Sequence, residues 1–206
     1  AAANFAVANR WTIVEGVQEA LQEVFKVRAK PYYEISHNLV QEETVVLPDG
    51  TSQRGFVHRK GATRAFPAGH PDLVGTKWEE TGHPCLIPGS MLAGAAIMVP
   101  RIGASESGGA VKPGSGRLRA RGVGKREVSA IHDDIDAEMR DIVRTFETSQ
   151  GPIQIKGIVG NTVRTPIDEC GHVYKDLDEV LGVLVDEKVA RIERRLYPVA
   201  NLKGCD

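Results

Sequence analysis

Four short segments carry residue types that handle phosphate, nucleotide or metal. Lys112-Pro113-Gly114-Ser115-Gly116-Arg117 sets a serine between two glycines, with a cation at each end. Glycines at that density suit a loop that approaches a ligand closely. Proline at its second position has no donatable side-chain lone pair, so Pro113 offers nothing to covalent catalysis. His58-Arg59-Lys60-Gly61-Ala62-Thr63-Arg64 gathers three permanent cations around a glycine. Such a run can hold phosphates by charge and through backbone N–H groups, or can be a solvated basic turn. In Ser36-His37-Asn38 a neutral imidazole is a good manganese or zinc ligand, and the amide beside it can orient a phosphate or a water. A lone histidine is also a common structural or surface residue. Finally, Cys85-Leu86-Ile87-Pro88-Gly89-Ser90-Met91 ends an apolar strand in Pro-Gly-Ser, which exposes backbone donors at its tip or simply turns the chain.

The intervening sequence must position these segments. Phe5, Ala8, Val14, Val17, Leu21 and Val24 recur at mostly three- and four-residue steps, which predicts a helix over 1–25 with a face built for burial. No initiator methionine and no capping residue precedes it, so further sequence upstream is expected. Pro31 to Ser36 reads as a short strand leading into His37. Thr44 to Leu47, a Pro48-Asp49-Gly50 turn and Phe56 to His58 read as a hairpin. Cys85 to Ile87 and Ala95 to Val99 are short apolar strands. The glycine- and arginine-rich stretch over 103–124 is a loop. Ile131, Ile135, Met139, Ile142, Val143 and Phe146 predict an amphipathic helix, and 148–166 an irregular excursion with one strand. Asp176 opens a helix carrying Leu177, Val180, Leu181 and Leu184, and 189–202 is extended. The expectation is an α/β fold over 1–206, a mixed sheet with flanking helices and long active-site loops.

Composition narrows the class. The 206 residues are 41% hydrophobic, enough for a packed core. With 26 basic and 27 acidic residues there is no global polyanion-binding charge, so any phosphate contact must be local. Cys85, Cys170 and Cys205 are far apart and form no CxxC pair, a usage that fits a reducing cytoplasm. No apolar run is long enough for a membrane span, and nothing reads as a secretory leader.

These segments, in this order, resemble the C-terminal half of RtcB-type RNA ligases. The match is strongest over Val57 to Pro67 and weakest over 103–169. The resemblance implies joining of RNA 3′-phosphate or 2′,3′-cyclic phosphate ends to 5′-hydroxyl ends, with GTP and Mn2+, in tRNA splicing and RNA repair. It makes His37 one manganese ligand and Asn38 a guanylate contact. Pro88, Gly89, Ser90, Met91, Gly114, Ser115 and Gly116 become nucleotide-binding, with Tyr174 and Lys203 near the base. Arg59, Lys60, Arg64 and Arg117 face RNA or its phosphates. Two departures matter: Leu92 and Ala95 stand where the family has a glycine and a guanylate-contacting serine, and Pro113 stands where it has the guanylylated histidine. Lys112 could replace that histidine only with a depressed pKa and a different trajectory. The family's N-terminal half, which carries the other metal ligands, has no counterpart here. The expectation is therefore an RtcB-like chain that does not ligate RNA by itself. It would need an N-terminal half or a partner chain to complete the metal site. The alternative is a degenerate paralogue that serves as an RNA- or nucleotide-binding module, or as one subunit of a split assembly.

Overall fold

The first sheet is a long hairpin whose register is set by its turn. In the computed structural model, which describes residues 2–47, 49–91, 93–120, 122–123, 143–147, 151–156 and 171–198, β1 (Asn38–Val46) pairs antiparallel with β2 (Ser52–Lys60) from Asn38↔Lys60 to Val46↔Ser52. The Gly50 N–H donates to the Leu47 carbonyl at 2.9 Å, and the Leu47 N–H to the Thr51 carbonyl at 2.8 Å. Asp49 accepts the Thr51 hydroxyl at 2.7 Å, which locks the reversal. Alternation turns Leu39, Gln41, Glu43 and Val45 toward the protein.

The hydrophobic core lies between a second sheet and a helix. β3 (Thr63–Arg64) comes next, followed by β4 (Cys85–Pro88) and β5 (Ala95–Pro100). β6 (Ala110–Val111) pairs with β3, and β7 (Val143–Phe146) with β8 (Ile153–Lys156). α2 (Leu177–Asp186) then leads into β9 (Ala190–Leu196), which joins β4 and β5 as an antiparallel sheet ordered β4-β5-β9. Cys85, Ile87, Ala96 and Met98 alternate inward from it and meet Leu177, Val180 and Leu181 of α2. Each such fully buried aliphatic side chain contributes about 1.5–3 kcal/mol. Asp176 starts α2 by accepting from the Asp178 and Glu179 N–H groups at 2.8 and 3.0 Å.

Four expectations are corrected. Helices and strands are both present, but every strand pairing among the described residues is antiparallel, so no mixed sheet forms there. α1 (Ala2–Phe25) is a helix, yet Phe5, Ile13, Val17, Val24 and Phe25 are more than half exposed, so its apolar positions are not a buried face. Residues 31–36 form no strand, since no strand among the described residues pairs with them, and Tyr32 and Tyr33 dock edge-on against Trp78, each at 5.5 Å between ring centroids. Val143 to Phe146 is a strand, not the end of a helix, since β8 pairs with it. Residues 131–142 lie outside the described residues. Among the described residues, no helix is long and apolar enough to cross a membrane.

Candidate functional site

Two sequence-distant loops close on Pro88. The Ser115 N–H donates to the Pro88 carbonyl at 2.8 Å. A Cβ added at Gly114 would stand 3.1 Å from that same oxygen, tighter than ordinary packing, so the loop's glycine lets it sit against β4. Backbone bonds then stitch the loop to the chain before α2. The Leu118 N–H donates to the Val173 carbonyl at 2.8 Å, and the Lys175 N–H to the Gly116 carbonyl at 3.0 Å. Between them Arg117 bridges Tyr174, donating to its hydroxyl at 3.0 Å with the guanidinium 4.9 Å from the ring centre. Beside this junction lies a cleft of about 340 Å³ lined by Pro88, Gly89, Ser90, Met91, Tyr174 and Tyr197, among others. The Pro88–Met91 loop, the glycine loop and Tyr174 are thereby brought together. Lys203 lies outside the described residues.

The loop's own chemistry is limited. Pro113 is half-buried and carries no nucleophile. Lys112 Nζ donates to the Ser115 carbonyl at 3.1 Å, and burial, then the Lys175 charge, hold its pKa below the usual lysine range. Ser115 is 1% exposed, and its hydroxyl has no partner among the described residues.

The histidine and the basic run meet at the open end of the hairpin. The Gly61 N–H reaches both the His37 carbonyl at 2.9 Å and Asn38 Oδ1 at 3.0 Å, so Asn38 clamps the basic turn. His37, Asn38 and Lys60 are exposed there. The next residues, β3, pair with β6, which runs straight into Lys112. Arg59 is placed differently from the expectation of a phosphate contact. It is 7% exposed, and its Nη1 donates to Glu43 Oε2 at 2.6 Å. Arg59 lies on the inner side of β2, the side on which the β1–β2 register also sets Glu43. Arg64 is half-buried, 3.8 Å from the other Glu43 oxygen. Exposed charge at this end is therefore carried by Lys60.

Glu43 and a ring stack are what residue reading missed. Phe66 lies parallel to His70 at 3.8 Å and beside His83 at 5.2 Å, with Arg59 and Arg64 each 5.8 Å from its centre. Burial, then the Arg64 charge, lowers His83 to about 4, and burial also lowers His70. Burial pushes the Cys85 thiol up to about 12, which makes it a packing residue rather than a nucleophile. The signal for Glu43 was alternation: it falls on the same side of β1 as Leu39 and Val45, where an acid demands a partner. Among the described residues, no group of three or more His, Cys, Asp or Glu is placed to hold a metal.

Comparison with known proteins gives a single family. The family described as tRNA-splicing ligase RtcB matches residues 1–204. A tRNA-splicing ligase RtcB of Thermococcus kodakarensis is 35% identical over 99% of this chain and 40% of its own length. That of Nanoarchaeum equitans is 34% identical over 99% of this chain and 41% of its own. For Pyrococcus horikoshii the identity is 34%, over 99% of this chain and 22% of the relative. The chain thus spans about two fifths of the first two relatives and about a fifth of the third.

Proposed function

The chain belongs to the RtcB family of tRNA-splicing ligases, and from that premise we propose that it forms the nucleotide- and RNA-end-facing part of an RtcB-type joining site. The observation that carries this reading is the convergence of Pro88 to Met91, the 112–117 loop and Tyr174 beside one cleft. Loop N–H groups of Ser90, Gly114 and Gly116 suit phosphate oxygens, while Gly89, whose N–H is spent on the Gly94 carbonyl at 2.8 Å, shapes the turn beside them, and Asn38 adds an amide. Tyr174 meets the base in this reading, a role that the family resemblance also gives Lys203. Lys60, Arg64 and Arg117 take RNA phosphates, and a cytoplasmic location goes with this role.

The family chemistry needs GTP and Mn2+, and the residues present fit them unequally. The cleft has room for part of a nucleotide. His37 can give manganese one imidazole, but the described residues do not complete a centre, so no step is routed through it. Further ligands would come from an N-terminal half or a partner chain. By this reading the 206 residues alone do not join RNA ends.

Pro113 favours a second reading, in which the chain binds RNA or nucleotide without joining it, as a degenerate paralogue or one subunit of a split assembly. The joining reading and the RNA-binding form of the second both require contact with RNA. Affinity for a short single-stranded RNA ending in a 3′-phosphate should fall with salt, and Lys60→Ala or Arg64→Ala should each lower the log–log slope by about one phosphate's worth. Affinity indifferent to salt and to both changes would end the RNA-facing reading.

A further inference from the structure

We propose that the outer face of the β1–β2 hairpin is a stacking platform for single-stranded RNA; this deepens the RNA-facing reading and rests on it. Side chains alternate along β2, and the buried Arg59–Glu43 pair fixes which set points inward. Arg54, Phe56, His58 and Lys60 therefore form one outward row, and all four are exposed. Across the hairpin, Val40 stands exposed opposite His58, and Asn38 opposite Lys60. A single exposed phenylalanine is ordinary on a protein surface. Phe56, at 75% exposure, instead stands in line with an imidazole and between two cations.

The chemistry of this row matches an unpaired RNA strand. Phenylalanine and histidine rings both stack on exposed bases, whatever the sequence, because every base has a π-face. Phe56 and His58 are two residues apart on one strand, about 6.6 Å, or roughly twice the 3.4 Å step of stacked bases. Each ring can therefore take its own base, with Val40 widening the apolar floor beside His58. Glu42, opposite Phe56, would repel phosphate, but Arg54 Nε lies 3.6 Å from its carboxylate. Arg54 also donates to Asp72 at 3.0 Å, so the positive charge offered to RNA comes mainly from Lys60. A polypeptide fits this face less well. Protein interfaces are depleted of lysine at their cores, whereas here rings alternate with charged and polar groups, and the exposed apolar side chains are Phe56 and Val40. The face also continues into the end already read as RNA-facing. A strand laid along β2 from Phe56 to Lys60 arrives at His37, Asn38 and the basic turn.

The test titrates the full 206-residue chain into a short labelled single-stranded RNA and into an abasic strand with the same phosphates. The RNA should bind about tenfold tighter than the abasic strand, because only it can stack. Phe56→Leu keeps an apolar group but removes the ring, and His58→Ala removes the imidazole. Each should weaken the RNA about tenfold. Phe56→Leu should leave both the abasic strand and the salt slope unchanged, since stacking neutralises no phosphate. Both side chains are exposed, so thermal midpoints should hold. If a variant does not fold, the parent's preference for RNA over the abasic strand tests the platform by itself. Salt-dependent RNA binding that ignores missing bases and both substitutions overturns the platform and leaves the RNA-facing reading standing. A preference for bases that survives both substitutions places the stacking elsewhere and overturns it too. No affinity for either strand removes both. Association with the portion of the Thermococcus relative that this chain does not match, abolished by Phe56→Leu while RNA affinity is unchanged, would assign the face to a polypeptide instead.

Discussion

Removing the Arg59 guanidinium leaves Glu43, at 2% exposure, without its 2.6 Å partner. Breaking a buried pair from one side costs about 3–5 kcal/mol, so Arg59→Met should lower the denaturation midpoint sharply. Lys60→Ala, one residue along on the exposed side of β2, should stay within about 0.5 kcal/mol of the parent. Equal effects would mean that Arg59 is not spent inside. His83 sets a second test. Its folded pKa of about 4 lies below its ordinary 6.5, so between those values the unfolded chain binds a proton that the folded chain refuses. Stability from this group is therefore complete above about pH 6.5 and is lost as pH falls toward about 4, by up to roughly 3 kcal/mol. His83→Phe keeps a ring against Phe66 and Tyr33 but removes the titration. Thermal melts of the variant should flatten across that window relative to the parent. An unchanged slope would place the pH dependence elsewhere, with His70 next in line because burial lowers it too.

Elements succeed or fail on signals of different range. Asp176 caps α2 through two N–H bonds, and Asp176→Ala should cost about 1 kcal/mol in chemical denaturation. Gly94, at φ +73°, brings the β4–β5 turn against β9 so closely that an added Cβ would stand 2.1 Å from the Leu196 carbonyl. Gly94→Ala must therefore strain the backbone and push β9 away, and should destabilise the chain by more than the cap mutation does. A milder effect would show that β9 yields freely. The cap, the α2 stripe and the hairpin turn were legible because each is written within a few residues: Asp176 before Leu177, Val180 and Leu181, and Asp49-Gly50 between two strands. Val143 to Phe146 was misread because apolar spacing in so short a run fits a helix or a strand, and only pairing with β8 decides between them. The site was legible in part for the same reason. Pro88 to Met91 and Gly114 to Arg117 show their turn chemistry locally, but their junction at the Pro88 carbonyl is a tertiary fact. So is the inward turn of Arg59, which depends on the β1–β2 register that sets Glu43 on the same side of the hairpin.

At the scale of the whole molecule, the cleft is lined by segments that the chain delivers from far apart: β4 with its turn, Tyr174 before α2 and the end of β9, with the 112–117 loop bonded to Pro88 beside it. Binding geometry of this kind can persist when the reacting group is gone, because backbone N–H donors and Tyr174 do not depend on residue 113. Covalent transfer is different, since it needs a nucleophile and enough metal ligands at once. Pro113 has no side-chain lone pair, and among the described residues no ligand cluster accompanies His37. Two requirements acting in series cannot be rescued one at a time. Incubation with α-labelled GTP and Mn2+ should therefore leave the parent chain and Pro113→His alike without a covalent guanylate. Pro113→His mixed with the portion of the Thermococcus relative that this chain does not match should acquire one, read by denaturing gel and intact mass. An adduct on the unmixed parent chain would identify another nucleophile, with Lys112 the first to map because its Nζ already sits within the loop. An adduct on Pro113→His alone would show instead that the metal ligands are present in these 206 residues, and that residue 113 is the single barrier to family chemistry.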